Sequence, residues 1–199
     1  TAGRLAIYLF LMIAMFFAVH SFAHEEKFLA RNFTLVTIVV AATYVVCMAT
    51  VQYFNTYLMP ISLVSLILLV LTNRKTSLIA SSCTALFLMT SFISTDMLEN
   101  NIDVYQVIAS IVCNLVAAIC VNSLASRHYT RLKFLMMSAL ASFVSVPLVV
   151  ISTMAIGDVS MEILFNIAWS YGGNLAAVIV SLPFCAILKE SSTLQTTSN

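Results

Sequence analysis

Val104-Tyr-Gln-Val-Ile-Ala-Ser-Ile-Val-Cys-Asn-Leu-Val-Ala-Ala-Ile-Cys-Val-Asn-Ser-Leu124 carries no charge from end to end. It reaches the length of about 20 apolar residues that a helix needs to cross a ~30 Å hydrocarbon core. Asp103, followed three residues later by Gln106, is a capping-box pattern that opens a helix at this point. Ser110, Asn114, Ala118 and Asn122 recur at four-residue spacing, which puts them on one helix face. A charge-free helix with one stripe of small and amide side chains is a membrane helix packed against other helices.

The rest of the chain repeats this pattern. Further segments of spanning or near-spanning length are Leu5–Ala23, Phe33–Tyr53, Tyr57–Thr72, Thr76–Thr95, Lys133–Ile156 and Ile163–Leu188. The third is the shortest, reaching only ~24 Å as a helix, with Pro60 expected in its first turn, where proline is tolerated. Of the 199 residues 61% are hydrophobic and 9% charged, against about 25% charged in soluble domains. Mean hydropathy is +1.03. So few charges cannot cover a soluble domain, and a net charge of +1 excludes nucleic acid as a partner. The expected partner is the lipid bilayer.

The polar breaks alternate in sign. Lys27 and Arg31, then Arg74 and Lys75, then Arg127, Arg131 and Lys133 alternate with breaks that hold no charge (54–56), Asp96, Glu99 and Asp103, or Asp158 and Glu162. Lys189 follows the last span, and only Arg4 departs from the rule. The positive-inside bias puts the basic breaks in the cytoplasm. The predicted fold is all-α, with seven transmembrane helices, the N-terminus outside and the C-terminus inside. Asn32, Thr130 and Ser160 stand where N-caps are wanted for the second, sixth and seventh spans. The domain is expected over residues 1–190, with 191–199 starting a linker to a cytoplasmic domain. With Thr1 at the start and an apolar run from Leu5, no signal peptide fits, and the chain is expected to be part of something longer.

Several constellations could carry chemistry. His20 and His24 share a helix face, yet no third metal ligand is nominated, and an interfacial pair is the simpler reading. The outer carboxylates could attract a cation, or could simply be solvated loop and first-turn residues. Cys47, Cys83, Cys113, Cys120 and Cys185 lie inside apolar runs without a CxxC, as small hydrophobes do. The last span carries Asn166, Ser170 and Asn174 on one stripe, with Trp169 and Gly172–Gly173 among them. Together with Asn114 and Asn122 these could form a ligand pocket or gate in which the glycines let the helix bend. They could equally be helix-to-helix glue. Apart from Lys133 at the very start of the sixth, the spans contain no Asp, Glu, Lys or Arg, which argues against ion-coupled transport. GxSxG, HExxH and P-loop signatures are missing, so no catalytic or metal-binding residue and no cofactor is assigned to the chain.

Three stretches carry a likeness to a known family. Tyr57-Leu-Met-Pro-Ile-Ser-Leu-Val-Ser-Leu-Ile-Leu-Leu-Val-Leu-Thr-Asn-Arg-Lys resembles a short proline-containing span with a tight basic turn. Ile163-Leu-Phe-Asn-Ile-Ala-Trp-Ser-Tyr-Gly-Gly-Asn is similar to an aromatic-then-Gly-Asn pattern, and Leu182-Pro183, Glu190 and Thr196-Thr197 to an exit into a following domain. The chain thus resembles the transmembrane region of the bacterial 7TM-HD family, the PgpH-like cyclic-di-AMP phosphodiesterases. The resemblance implies an outer sensory domain, seven helices in the bacterial inner membrane, and a cytoplasmic HD phosphohydrolase that holds a divalent metal. Neither flanking domain is in this chain, and the metal-ligating His and Asp have no counterpart here. The expected function is a sensor, transducer and anchor for such a hydrolase, open to a small ligand and to self-association. The competing readings are a small-solute transporter, or its substrate-binding membrane subunit, and a purely structural anchor.

Overall fold

The computed structural model describes residues 2–23, 29–94, 104–125, 130–156 and 161–196, and all regular structure among them is helical. The helices are α1 (Ala2–Ala23), α2 (Leu29–Tyr53), α3 (Ser62–Leu71), α4 (Arg74–Ser94), α5 (Val104–Leu124), α6 (Arg131–Ser142), α7 (Ser145–Ile156) and α8 (Glu162–Thr196). Four stretches are long and apolar enough to cross a membrane: Phe33–Tyr53, Val104–Leu124, Leu132–Ala155 and Glu162–Pro183. Ala6–Ala18 and Ser62–Leu71 are shorter apolar helices.

The bundle is organised around α3. Its sequence is apolar on every side, and a helix without a polar face has to be buried. Ser62 and every residue from Val64 to Val70 are buried, against α2, α4, α5 and α8. α1 packs on α4 and α2, while α6 and α7 pack on α5 and α8.

Four sequence expectations need correction. The helix of the third span covers only Ser62–Leu71, and residues 54–61 ahead of it are irregular. Pro60 disfavours helical backbone at Met59, and the Asn55 side chain accepts the Tyr57 N–H at 2.8 Å, holding a turn instead. The sixth span is not one helix but α6 and α7, interrupted at Phe143–Val144. Pro147 has no N–H for the Phe143 carbonyl, which accepts from the Val146 N–H at 3.0 Å instead. α8 runs unbroken from Glu162 to Thr196, through Gly172–Gly173 and Pro183, so the glycines do not interrupt it. Finally, α2 begins at Leu29, which leaves Asn32 inside its first turn and not ahead of it as a cap.

Other local signals are resolved more simply. α5 occupies Val104–Leu124. Thr130 caps α6, its hydroxyl accepting the Lys133 N–H at 3.4 Å. Asn73, a cap not anticipated from sequence, accepts the Thr76 N–H at 2.8 Å and opens α4. The Arg74 guanidinium then reaches the Ala125 carbonyl at 3.1 Å, satisfying one of the unpaired carbonyls at the end of α5. Cys47, Cys83, Cys113 and Cys120 are free thiols. His24, Asp96, Glu99, Asp103, Asp158 and Ser160 lie outside the described residues, as does the Cys185 side chain.

Candidate functional site

Irregular backbone at bilayer depth is tolerated only where protein groups satisfy its N–H and C=O. Residues 54–61 pose that demand inside the bundle, where Tyr57, Met59 and Ile61 are fully buried. Part of it is met locally: the Leu58 N–H donates to the Asn55 carbonyl at 3.1 Å and the Ile61 N–H to the Met59 carbonyl at 2.8 Å. Two of its carbonyls are met by α5. Ser110 Oγ donates to the Thr56 carbonyl at 2.6 Å, and Asn114 Nδ2 to the Tyr57 carbonyl at 3.3 Å.

From Asn114 the network crosses to α8. Asn174 Nδ2 donates to Asn114 Oδ1 at 2.9 Å and to the Ser170 carbonyl at 2.9 Å. Asn174 Oδ1 accepts from Ser62 Oγ, the first residue of α3, at 2.6 Å. Asn114 Nδ2 also lies 3.0 Å from the Ser110 carbonyl, and Ser170 Oγ approaches Asn114 Oδ1 at 3.5 Å. Each amide hydrogen of both asparagines has an acceptor, and each amide oxygen has a donor. Ser62, Ser110, Asn114, Ser170 and Asn174 are all fully buried. The cluster is a closed knot joining α3, α5, α8 and the irregular segment.

α8 touches that segment at two further points. A Cβ on Gly173 would sit 2.9 Å from Leu58 Cδ1, so the missing side chain is what allows this close approach. Trp169, 38% exposed, lies with its ring centroid 6.4 Å from that of Phe54. On another side of α8, Tyr171 meets Phe143 edge to face at 5.8 Å, at the break between α6 and α7. Residues 169–174 of one continuous helix therefore contact both interruptions in the bundle.

The other predicted residues are placed differently. Asn122 belongs to a separate contact, its Nδ2 donating to the Arg74 carbonyl at 3.0 Å, while its buried Oδ1 has no partner among the described residues. Asn166 is buried on the stripe of Ser170 and Asn174. Gly172 faces open space. Ser62, the backbone of Thr56 and Tyr57, and the Phe143 break were not nominated by sequence. The nearest signal for Ser62 was a hydroxyl in an otherwise apolar run, but its partner lies 112 positions away. Among the described residues no group of three His, Cys, Asp or Glu comes together, and the knot holds no ionisable side chain placed to activate water. Its chemistry is that of a joint: directional hydrogen bonds that fix how α8 sits against α3 and α5.

A family model described as "7TM receptor with intracellular HD hydrolase" matches residues 1–189. No curated protein and no solved structure matches the chain.

Proposed function

We propose, from the premise that this chain belongs to the family of 7TM receptors with an intracellular HD hydrolase, that it senses a signal and passes it to the hydrolase through α8. The observation that carries this reading is the length and attachment of that helix. Its 35 residues extend ~52 Å, far beyond a ~30 Å hydrocarbon core. The apolar stretch of the sequence runs from Ile163 to Leu188. The polar remainder, Lys189 to Thr196, carries the helix ~12 Å further, while the polar knot grips residues 170–174 within the apolar stretch. A displacement at the knot is therefore delivered beyond the membrane by a single rigid element.

In this reading α1, α2, α3 with its irregular lead, α4, α5, the α6–α7 pair and α8 are seven crossings, N-terminus out and C-terminus in. The membrane is a bacterial inner membrane, and the hydrolase is PgpH-like, acting on cyclic-di-AMP with a divalent metal in its own domain. The chain contributes no catalytic residue. The fully partnered amides of the knot favour a joint over a solute-binding site, which weighs against the transporter reading.

The test is to insert one to four alanines after Leu188 in the full protein and measure hydrolysis. Each residue turns a continuing helix by ~100°, so activity should vary with helical phase and recover near a full turn. Activity indifferent to every insertion would leave the helices as an anchor.

A further inference from the structure

A second feature lies on the far side of the bundle from the knot. α1, α2 and α4 enclose a cavity of about 320 Å³, lined by Met12 and Met15, Val40 and Ala41, and Phe87, with Tyr8, Tyr44 and Thr37 completing the wall. This size is at the low end of the ~300–1,000 Å³ range of small-molecule sites. Ala41 lies exposed at its mouth. Ile38 and Val45 on either side along α2 are 63% and 64% exposed, as are the large apolar residues Phe10 and Phe17 of α1. The opening is thus continuous with the outward apolar face of a helix long enough to span the bilayer.

The polar atoms of the wall are already engaged. Ser91 Oγ donates to the Phe87 carbonyl at 2.8 Å, which leaves its lone pairs for the hydroxyls of Tyr8 at 2.6 Å and Tyr44 at 2.7 Å. Thr37 Oγ1 donates to the Phe33 carbonyl at 2.9 Å. Tyr8 also stacks on Phe87, with centroids 5.9 Å apart, presenting ring carbon to the space. A wall whose hydroxyls are committed elsewhere offers a polar solute nothing in return for its lost hydration. It offers hydrocarbon a close dispersion surface, which an unfilled gap forfeits.

We propose that this groove is a lipid site that holds one acyl chain, entering sideways from the bilayer past Ala41. The occupant is hydrocarbon because the walls are carbon, and membrane lipid because the mouth opens onto the lipid-facing surface. It is a single chain because the volume admits no more. The assignment stands whether or not α8 transmits a signal, since it is read by occupancy alone.

The experiment uses the full chain in phosphatidylcholine vesicles containing a phospholipid with a diazirine at mid-chain. After irradiation, the labelled residues are mapped by mass spectrometry. Val40 and Phe87 line the groove and keep only a sliver of accessible surface, so passing annular lipid does not label them but a resident chain does. We expect label on both, alongside Phe10 and Ile38 on the outer face. Ala41→Trp should fill the mouth and remove label from Val40 and Phe87 while Phe10 keeps it. Val46→Trp, on the same helix outside the groove, should change neither. Tyr44→Phe should keep the label, because the wall stays apolar. Label confined to the outer face in the unmodified chain would overturn the proposal, as would label on Phe87 that survives Ala41→Trp. A second copy covering the groove would shield Ile38 and Phe87 together, and would overturn it as well.

Discussion

The two halves of this bundle are assembled by different forces. Where α3, α5 and α8 meet, broken backbone and buried amides are locked by directional hydrogen bonds running from Ser62 through Asn174 and Asn114 to the Tyr57 carbonyl. Where α1, α2 and α4 meet, apolar side chains such as Met15, Val36, Val40 and Phe87 pack around one smaller hydroxyl cluster, Tyr8–Ser91–Tyr44, and leave a groove between them. Lipid tails are as apolar as these side chains, so beyond that one hydroxyl cluster the second interface rests on dispersion. Hydrogen bonds specify one arrangement and dispersion tolerates several. The half that fixes α8 is therefore the stiffer one, and the half that holds the groove is the more adaptable one.

This contrast can be tested by substitution, with stability followed as resistance of the purified chain to detergent unfolding. The largest effect is expected from Asn114→Leu, which strands the Asn174 amide and the Tyr57 carbonyl and should cost about 1–3 kcal/mol. Asn174→Leu should couple to it in a double-mutant cycle. Strict additivity would show the two amides acting in separate environments. Next comes the glycine pair. Gly173→Leu should destabilise by about 1–2 kcal/mol, low in the range for overpacking, because only the mobile end of Leu58 stands closest. Gly172→Ala faces open space and should stabilise by up to about 1 kcal/mol through helix propensity. Equal effects at both glycines would mean that Leu58 does not press on α8. The smallest change is expected from Tyr44→Phe on the lipid side, about 0.6 kcal/mol, the average for a hydrogen bond between membrane helices. A cost matching that of Asn114→Leu would erase the distinction between the halves.

Much of this was legible in the sequence, and the remainder was hidden for identifiable reasons. Val104–Leu124 could be delimited because a charge-free run of spanning length opened by the Asp103–Gln106 capping pattern has one helical solution. The stripes of Asn114 and Asn174 showed that both helices carried polar faces, since amides in lipid need partners. Sequence could not say that the third member of the knot is Ser62, because Ser62 and Ser65 in an apolar run carry too little periodicity to announce where each one points. Pro147 was visible, yet proline inside a membrane helix is often accommodated, and only the rehoused Phe143 carbonyl shows that this one divides the span. Gly172–Gly173 misled in the opposite direction. A glycine pair reads as a break when alone, but α8 continues as helix through both and Gly173 serves a close approach to Leu58. The Tyr8–Ser91–Tyr44 cluster joins three helices with no shared sequence interval, and nothing local marks it.

The irregular lead of α3 also has a consequence for the order in which the molecule can be completed. A ribosome delivers residues 54–61 well before Ser110 and Asn114, and Asn174 later still. Until α5 arrives, the Ser110 and Asn114 donors to the Thr56 and Tyr57 carbonyls are missing, and hydrocarbon supplies no substitute. The early helices must therefore wait, with this segment kept at water or headgroup level, for partners not yet synthesised. Seating of α3 becomes a late event in biogenesis, finished only when the last helix is in place. A chain halted before Asn174 would carry an unpaired Ser62 and a half-satisfied Asn114. Quality control can recognise those exposed polar groups as the mark of an unfinished protein.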